Sequence, residues 1–222
     1  MSRREDSQTV VFAKAPEPGS AKTRLIPALG EEGAARLHAR FVHHAIRTAL
    51  GADAGEVELC CAPDRHHPFF GRAAAYFGVA LADQAGRDLG ERMASAFRRG
   101  LAQGAVILVG TDCPALASAD IRAAHEALED GADAVFVPVE DGGYVLIGLR
   151  RFDSLLFSGI DWGTEQVMRQ TRARLAELGW RWRELAMRWD VDRPEDLARL
   201  AHAGLLDIDD LLRSRDAAIP AP

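Results

Sequence analysis

Apolar residues along the chain come in short runs, and most runs are followed by a stretch with helical spacing. Val10 to Ala13 precedes a helical pattern from Glu31 to Leu50, and Val57 to Cys61 precedes one that runs through Arg72 to Phe77. Val79 to Ala82 is followed by a predicted helix from about Asp88 to Ala102, and Val106 to Val109 by one from about Ser118 to Glu129. Short, consecutively apolar runs read as strands buried on both faces, as parallel strands between helices are. Two further runs, Ala134 to Val139 and Tyr144 to Leu149, are separated by Glu140-Asp-Gly-Gly, whose turn chemistry predicts a hairpin. A helix after Thr164, a strand near Trp182 to Ala186 and a helix from Pro194 to about His202 complete the expected elements. The pattern predicts an α/β fold with a mixed, mainly parallel sheet flanked by helices.

No repeat, low-complexity tract or linker interrupts the alternation. The expected organisation is a single domain over residues 1–222, with its core at about 9–203 and a frayed tail from Arg213 to Pro222. A hydrophobic content of 48% with 27% charged residues suits one sizeable core. The net charge of −6 argues against nucleic acid as a partner, which would need a basic face, but leaves room for a local basic pocket. The three cysteines, two of them adjacent as Cys60-Cys61, form no CxxC pair, so neither a disulfide framework nor a zinc site is indicated. Met1 to Gln8 leads into an apolar run too short for a signal core or a membrane span, and the expected location is the cytoplasm. Oligomeric state stays open.

Chemistry gathers first between Lys14 and Arg24, after the first predicted strand and before the first predicted helix, where open α/β sheets bind phosphates. Pro16 and Pro18 stiffen this loop, Gly19 permits close backbone approach, and Lys14, Lys22 and Arg24 supply positive charge beside Thr23. Of 27 basic residues only two are lysines, and both lie here. That marks positions suited to a compact ammonium rather than a guanidinium. The competing reading is a solvated loop with two incidental lysines. Neither GxxxxGK[ST] nor GxGxxG is present, which lowers the case for a P-loop kinase or a dinucleotide dehydrogenase.

Carboxylates follow at the ends of later elements. Asp112, in Gly-Thr-Asp-Cys-Pro114 just past a buried-looking strand, is placed to hold Mg²⁺ or Mn²⁺ against a diphosphate, or else only to organise the turn before Pro114. In Trp189-Asp-Val-Asp-Arg-Pro-Glu195, Asp192 and Glu195 have capping-box spacing, while Asp190 is left unexplained by capping; one of the two aspartates is expected to cap and the other to coordinate. In Gln84-Ala-Gly-Arg-Asp-Leu-Gly-Glu-Arg92, Asp88 and Glu91 read as a helix cap, while Gln84, Gly86, Asp88 and Arg92 equally suit a nucleotide. Asp141 is a candidate general base in a segment that hairpin chemistry also explains. Thr164 reads as an N-cap, Trp162 as a core, rim or sugar-stacking aromatic, and His43-His44 and His66-His67 as surface residues.

The order of these segments resembles the GT-A nucleotide-diphospho-sugar transferase superfamily, and more narrowly the bacterial glycosyltransferases associated with radical-SAM enzymes and arsenosugar biosynthesis. The resemblance is carried by the basic loop, Gln84 to Met93, Gly110-Thr-Asp-Cys-Pro114, Asp141-Gly-Gly-Tyr144 and Asp190 to Asp196, over about residues 9 to 203. It implies a Rossmann-like sheet, Lys14 to Arg24 on the phosphates, and Gly86 and its neighbours on the nucleotide. It also implies Asp112 and Asp192 on a divalent metal, and Asp141, Gly142, Gly143 and Tyr144 facing a small-molecule acceptor. Two departures stand out. Asp112 is a lone carboxylate where such glycosyltransferases often carry Asp-x-Asp, which brings nucleotidyltransferases using an NTP into consideration; their Gly-rich first loop is in turn replaced here by Ala-Pro-x-Pro-Gly. A non-catalytic nucleotide-binding module is the third reading.

Overall fold

The computed structural model of the chain describes residues 7–204. The tail expected to fray, Arg213 to Pro222, lies outside the described residues. Among the described residues seven strands form one sheet: β1 (Gln8–Lys14), β2 (Glu56–Ala62), β3 (Ala80–Asp83), β4 (Val106–Val109), β5 (Ala134–Pro138), β6 (Tyr144–Leu149) and β7 (Trp182–Glu184). Their spatial order is β3-β2-β1-β4-β6-β5-β7. β1, β2, β3 and β4 run parallel, β6 is antiparallel to both its neighbours, and β7 runs parallel to β5. The sheet is therefore mixed and mainly parallel, as its apolar pattern predicts.

Among the described residues six α-helices cover it: α1 (Ile26–Leu50), α2 (Pro68–Phe77), α3 (Leu89–Gly100), α4 (Ser118–Glu129), α5 (Val167–Glu177) and α6 (Asp196–His202). The long arm of α1 matches the predicted helix from Glu31. Its extra first turn is set off by Gly30, whose φ of 70° and ψ of 169° leave the helical region. Alternate strand residues feed two cores. Val11, Ile107 and Val135 pack with α1, α2 and α4 on one face, and Val10, Leu108, Phe136 and Ile147 pack with α3 and α5 on the other. A third, smaller cluster joins Leu25, Leu37 and Phe41 near the start of α1 to Val191 and Leu200, pinning the segment after β7 against the first loop.

The chain moves outward from β1 through β2 to β3, then crosses back to lay β4 on the other side of β1. Loops leaving β1 and β4 stand next to each other at the carboxyl ends of these neighbouring strands, where open α/β sheets take ligands.

Candidate functional site

Asp112 and Asp192 meet because four separate constraints bring their loops together. β4 ends at Val109, and Gly110 N–H donates to Val145 O (2.9 Å), so Thr111 and Asp112 emerge beside the first residues of β6. After β7, Arg188 N–H donates to Pro138 O (2.9 Å), and its guanidinium makes a two-pronged ion pair with Asp120 at the start of α4 (3.0 and 2.6 Å). Val191 N–H then donates to Asp112 O (2.9 Å), stitching the two acidic segments directly. Asp196 accepts from the backbone N–H groups of Asp192 and Arg193 (2.9 and 2.7 Å). That last pair corrects the expected capping box of Asp192 and Glu195: Asp196 serves the backbone there, and the Asp192 carboxylate is released for other partners.

Its partner is Lys22, whose ammonium lies 3.0 Å from Asp192 Oδ1 and 2.8 Å from Asp112 Oδ1, and donates to Val191 O at 2.6 Å. The Lys22 side chain is only 5% exposed, with the Phe41 ring 5.7 Å behind it. Burial pulls its pKa down, but attraction to Asp112 and Asp192, with a hydrogen bond to each, prevails and leaves it raised. Partial desolvation disfavours the charge on Asp112, yet Lys22, with His38 nearby, holds its carboxyl below the usual range. Lys22 adopts left-handed backbone angles (φ 49°, ψ 46°), unusual for a residue with a side chain. Arg24, largely exposed, reaches the second oxygen of Asp192 at 2.9 Å.

These groups rim a cavity of about 650 Å³ at the β1/β4 crevice. Lys14, Lys22, Thr23, Arg24, Gln84, Asp112, Asp141, Gly143, Tyr144, Trp162, Asp190 and Asp192 all line it. Lys14 donates to Ser20 O (2.8 Å), which folds the first loop back on itself. Asp190 is pushed up to about 6, first by burial and then by the neighbouring Asp141 and Asp192. Asp141 accepts from Gly143 N–H (2.9 Å), the hairpin turn contact its sequence suggested. Deeper in, Phe12, Met93, Leu108, Ile147 and Trp162 make one apolar wall. Burial raises the Tyr144 hydroxyl's pKa.

Other sequence candidates lie elsewhere. Gly19, Gly86, Asp88, Arg92 and Gly142 are absent from the cavity lining. Asp88 caps α3 by accepting from Glu91 N–H (2.8 Å), and Arg92 Nε donates to Gly86 O (3.1 Å). The close approach that Gly86 allows is to its own helix: a Cβ there would fall 2.6 Å from Arg92 N. At Gly90 a Cβ would fall 2.5 Å from Trp162 Nε1, so that glycine exists for the tryptophan. A Cβ on Gly142 would collide with the Glu165 backbone. Thr164 shapes the turn before α5, donating to Asp161 O (2.8 Å) and accepting from Gln166 N–H (3.3 Å), rather than standing as the N-cap, which is Gln166.

The histidines need a correction as well. His43 is buried, stacked on Phe69 at 5.2 Å between ring centres, because it falls on the apolar stripe of α1. His38, which the motifs did not single out, lines the cavity, with Nε2 3.0 Å from Lys14 O and Nδ1 buried without a partner. The signal for it was present: His38 is the polar residue on a helical face whose other members, Ala34, Ala35, Phe41, Val42 and Ala45, are apolar.

No group of three or more candidate ligands already arranged around a metal position occurs among the described residues. Asp112 and Asp192 nonetheless suit a hard cation, because they are oxygen donors from two fixed loops that already share a positive charge between them. No helix among the described residues is long and apolar enough to cross a membrane.

Residues 45–164, over half of the chain, match the family of uncharacterised proteins conserved in bacteria designated DUF2064. A crystal structure from Desulfovibrio desulfuricans G20, provisionally described as a nucleotide-diphospho-sugar transferase, is 31% identical, covers 97% of each chain and superposes with a TM-score of 0.85. CMP:2-keto-3-deoxy-manno-octonic acid synthetase complexed with CTP shares the fold at 15% identity and a TM-score of 0.59, over 90% of this chain and 99% of that one. The 4-diphosphocytidyl-2C-methyl-D-erythritol synthase of Anaerococcus prevotii DSM 20548 does so at 10% identity and 0.61, over 91% and 96%. No curated protein matches the chain in sequence.

Proposed function

The chain belongs to the bacterial DUF2064 family, and from that premise we propose that it is a transferase that binds a nucleotide-diphospho-sugar and passes the sugar to a small-molecule acceptor. The observation that carries this is the meeting of Asp112 and Asp192 around one cation at the β1/β4 crevice, with Lys14 and Arg24 on the rim. A diphosphate needs charge neutralisation where it leaves, and this is the part of the cavity that offers it. The 31% identity over nearly the whole chain to the Desulfovibrio protein supports the same donor class.

Asp112 and Asp192 would hold Mg²⁺ or Mn²⁺, with Asp190 beside them, and such an ion supplies charge to the leaving diphosphate. Lys14 and Arg24 orient the phosphates, with the Thr23 hydroxyl close by. An acceptor hydroxyl attacks the anomeric carbon while the bond from that carbon to the β-phosphate oxygen breaks. The hydroxyl proton passes to Asp141, which lines the same cavity near Asp190 with one oxygen bonded to Gly143 N–H. Gly143, Tyr144 and Trp162 flank the acceptor. The resemblance to radical-SAM-associated glycosyltransferases belongs to the same proposal and favours a small acceptor over a polymer.

Labelled UDP- and GDP-sugars incubated with Mn²⁺ and a panel of small acceptors should release nucleoside diphosphate, by transfer or by slow hydrolysis. Absence of release from every donor would overturn glycosyl transfer. One observation favours a second reading, nucleotidyl transfer: the two carboxylates come from separate loops rather than from an Asp-x-Asp pair. Pyrophosphate release that requires both an NTP and a phosphorylated acceptor would move the assignment there.

A further inference from the structure

We propose that Lys22 is a resident counter-ion of the Asp112–Asp192 pair, displaced when a divalent cation arrives with a diphosphate and then serving as a phosphate ligand itself. This rests on the metal and diphosphate reading above.

The ammonium has three N–H donors and three acceptors in place, Val191 O at 2.6 Å, Asp112 Oδ1 at 2.8 Å and Asp192 Oδ1 at 3.0 Å. Nothing is left over for a phosphate, so a phosphate contact requires that at least one carboxylate be released. The two carboxylate oxygens, each within 3.0 Å of the same nitrogen, lie less than about 6 Å apart. A dication bound by these two oxygens would stand within a few Å of the ammonium, and charge repulsion at such range opposes joint occupancy.

Leaving is also favoured once the carboxylates are taken. Lys22 is 5% exposed and backed by the Phe41 ring, so its buried charge depends on those two carboxylates for neutralisation, Val191 O supplying only a dipole. With them neutralised, the ammonium needs another anion, and the cavity it lines is open to the proposed diphosphate. The residue type fits this dual use. A compact ammonium fills a position between two carboxylates that a dication can also fill, whereas a planar guanidinium does not. The backbone at φ 49° would suit glycine better, so the position bears a strained conformation and keeps this side chain all the same.

Cation and diphosphate then bind cooperatively: each alone must oppose the Lys22 contacts, and together they satisfy every charge. Thermodynamic linkage makes the enhancement equal in both directions.

Because the chain has only two lysines, protein labelled with ¹⁵N at lysine gives two side-chain signals, assigned with a Lys14→Arg variant. The protected Lys22 signal should persist with Mg²⁺ alone and move or vanish with Mg²⁺ plus UDP or GDP. In parallel, Lys22→Met should bind Mn²⁺ alone at least tenfold more tightly than wild type, read by electron paramagnetic resonance, with most of the nucleotide enhancement lost. Lys22→Gln serves if the methionine variant fails to fold, and the labelled wild-type experiment needs neither. If Mn²⁺ binds with nucleotide while the Lys22 signal stays fixed, the lysine is a permanent strut and the proposal fails alone. If Mn²⁺ binds to neither protein with or without nucleotide, the metal reading fails and takes the displacement with it.

Discussion

Two segments, Lys14–Arg24 and Gln84–Met93, look alike in the sequence: each follows a strand, precedes a helix, and mixes glycine with charge where a nucleotide would bind. In the structure they diverge. Most of the polar groups of the second segment are satisfied within a few residues, Asp88 by Glu91 N–H, Arg87 by Glu91 and Arg92 by Gly86 O. Lys22 and Arg24 instead find Asp192, 170 and 168 residues away. Local satisfaction is what a helix start requires of any sequence. A charge held across the whole fold, at a cost in burial and backbone strain, has no such local explanation, and that is the better indicator of a site.

The comparison can be broken by mutation, and the largest effect is expected at Asp112. Asp112→Asn keeps the side-chain volume and should lower kcat/KM for nucleoside diphosphate release by about 100-fold or more, as loss of a charge-stabilising group does. Activity within threefold of wild type would remove the acidic pair from the chemistry. Lys22→Met leaves two carboxylates facing each other without their cation, and chemical denaturation in the absence of metal should show a loss of about 2 kcal/mol, held to that size by the partial exposure of both aspartates. Gly90→Ala drives a methyl into the Trp162 ring and should cost about 1–2 kcal/mol, with a shift in tryptophan fluorescence as the cavity wall moves. Asp88→Ala should cost about 1 kcal/mol in the same denaturation assay, the usual value of a helix cap, and leave donor affinity alone. Smallest is Arg92→Gln, expected to change donor affinity by no more than about twofold in a calorimetric titration, as a residue outside the cavity should. A tenfold loss there would add the charged part of the Gln84–Met93 segment to the cavity that Gln84 and Met93 already line, and erase the distinction.

Much of the fold is legible because the core-facing periodicity is strong. β4, α4 and β6 coincide end to end with their apolar runs, and the Glu140-Asp-Gly-Gly connection is a hairpin turn. Two of the boundaries that differ are set by local backbone features. Gly30 separates a first turn of α1 that carries no long apolar stripe, and α6 begins at Asp196 because Asp196, not Asp192 or Glu195, receives the free N–H groups ahead of it. His43 departs from the surface position expected of it for a related reason: an imidazole can be buried when it stacks on an aromatic ring, and Phe69 is brought to it only by the packing of α2 on α1.

Residue type and order determined a mixed α/β sheet and put basic and acidic residues after β1, β4 and β7, since periodicity and strand ends are local properties. They also singled out the only two lysines in the chain. Which charges face one another was decided by the tertiary structure alone. The crossover from β3 back to β4 sets the loop after β4 beside the loop after β1, Val191 N–H to Asp112 O ties the segment after β7 to it, and only then does Lys22 have two carboxylates within 3.0 Å. Electrostatic energy depends on distance through space, and sequence separation carries almost no information about that distance until the strands are paired.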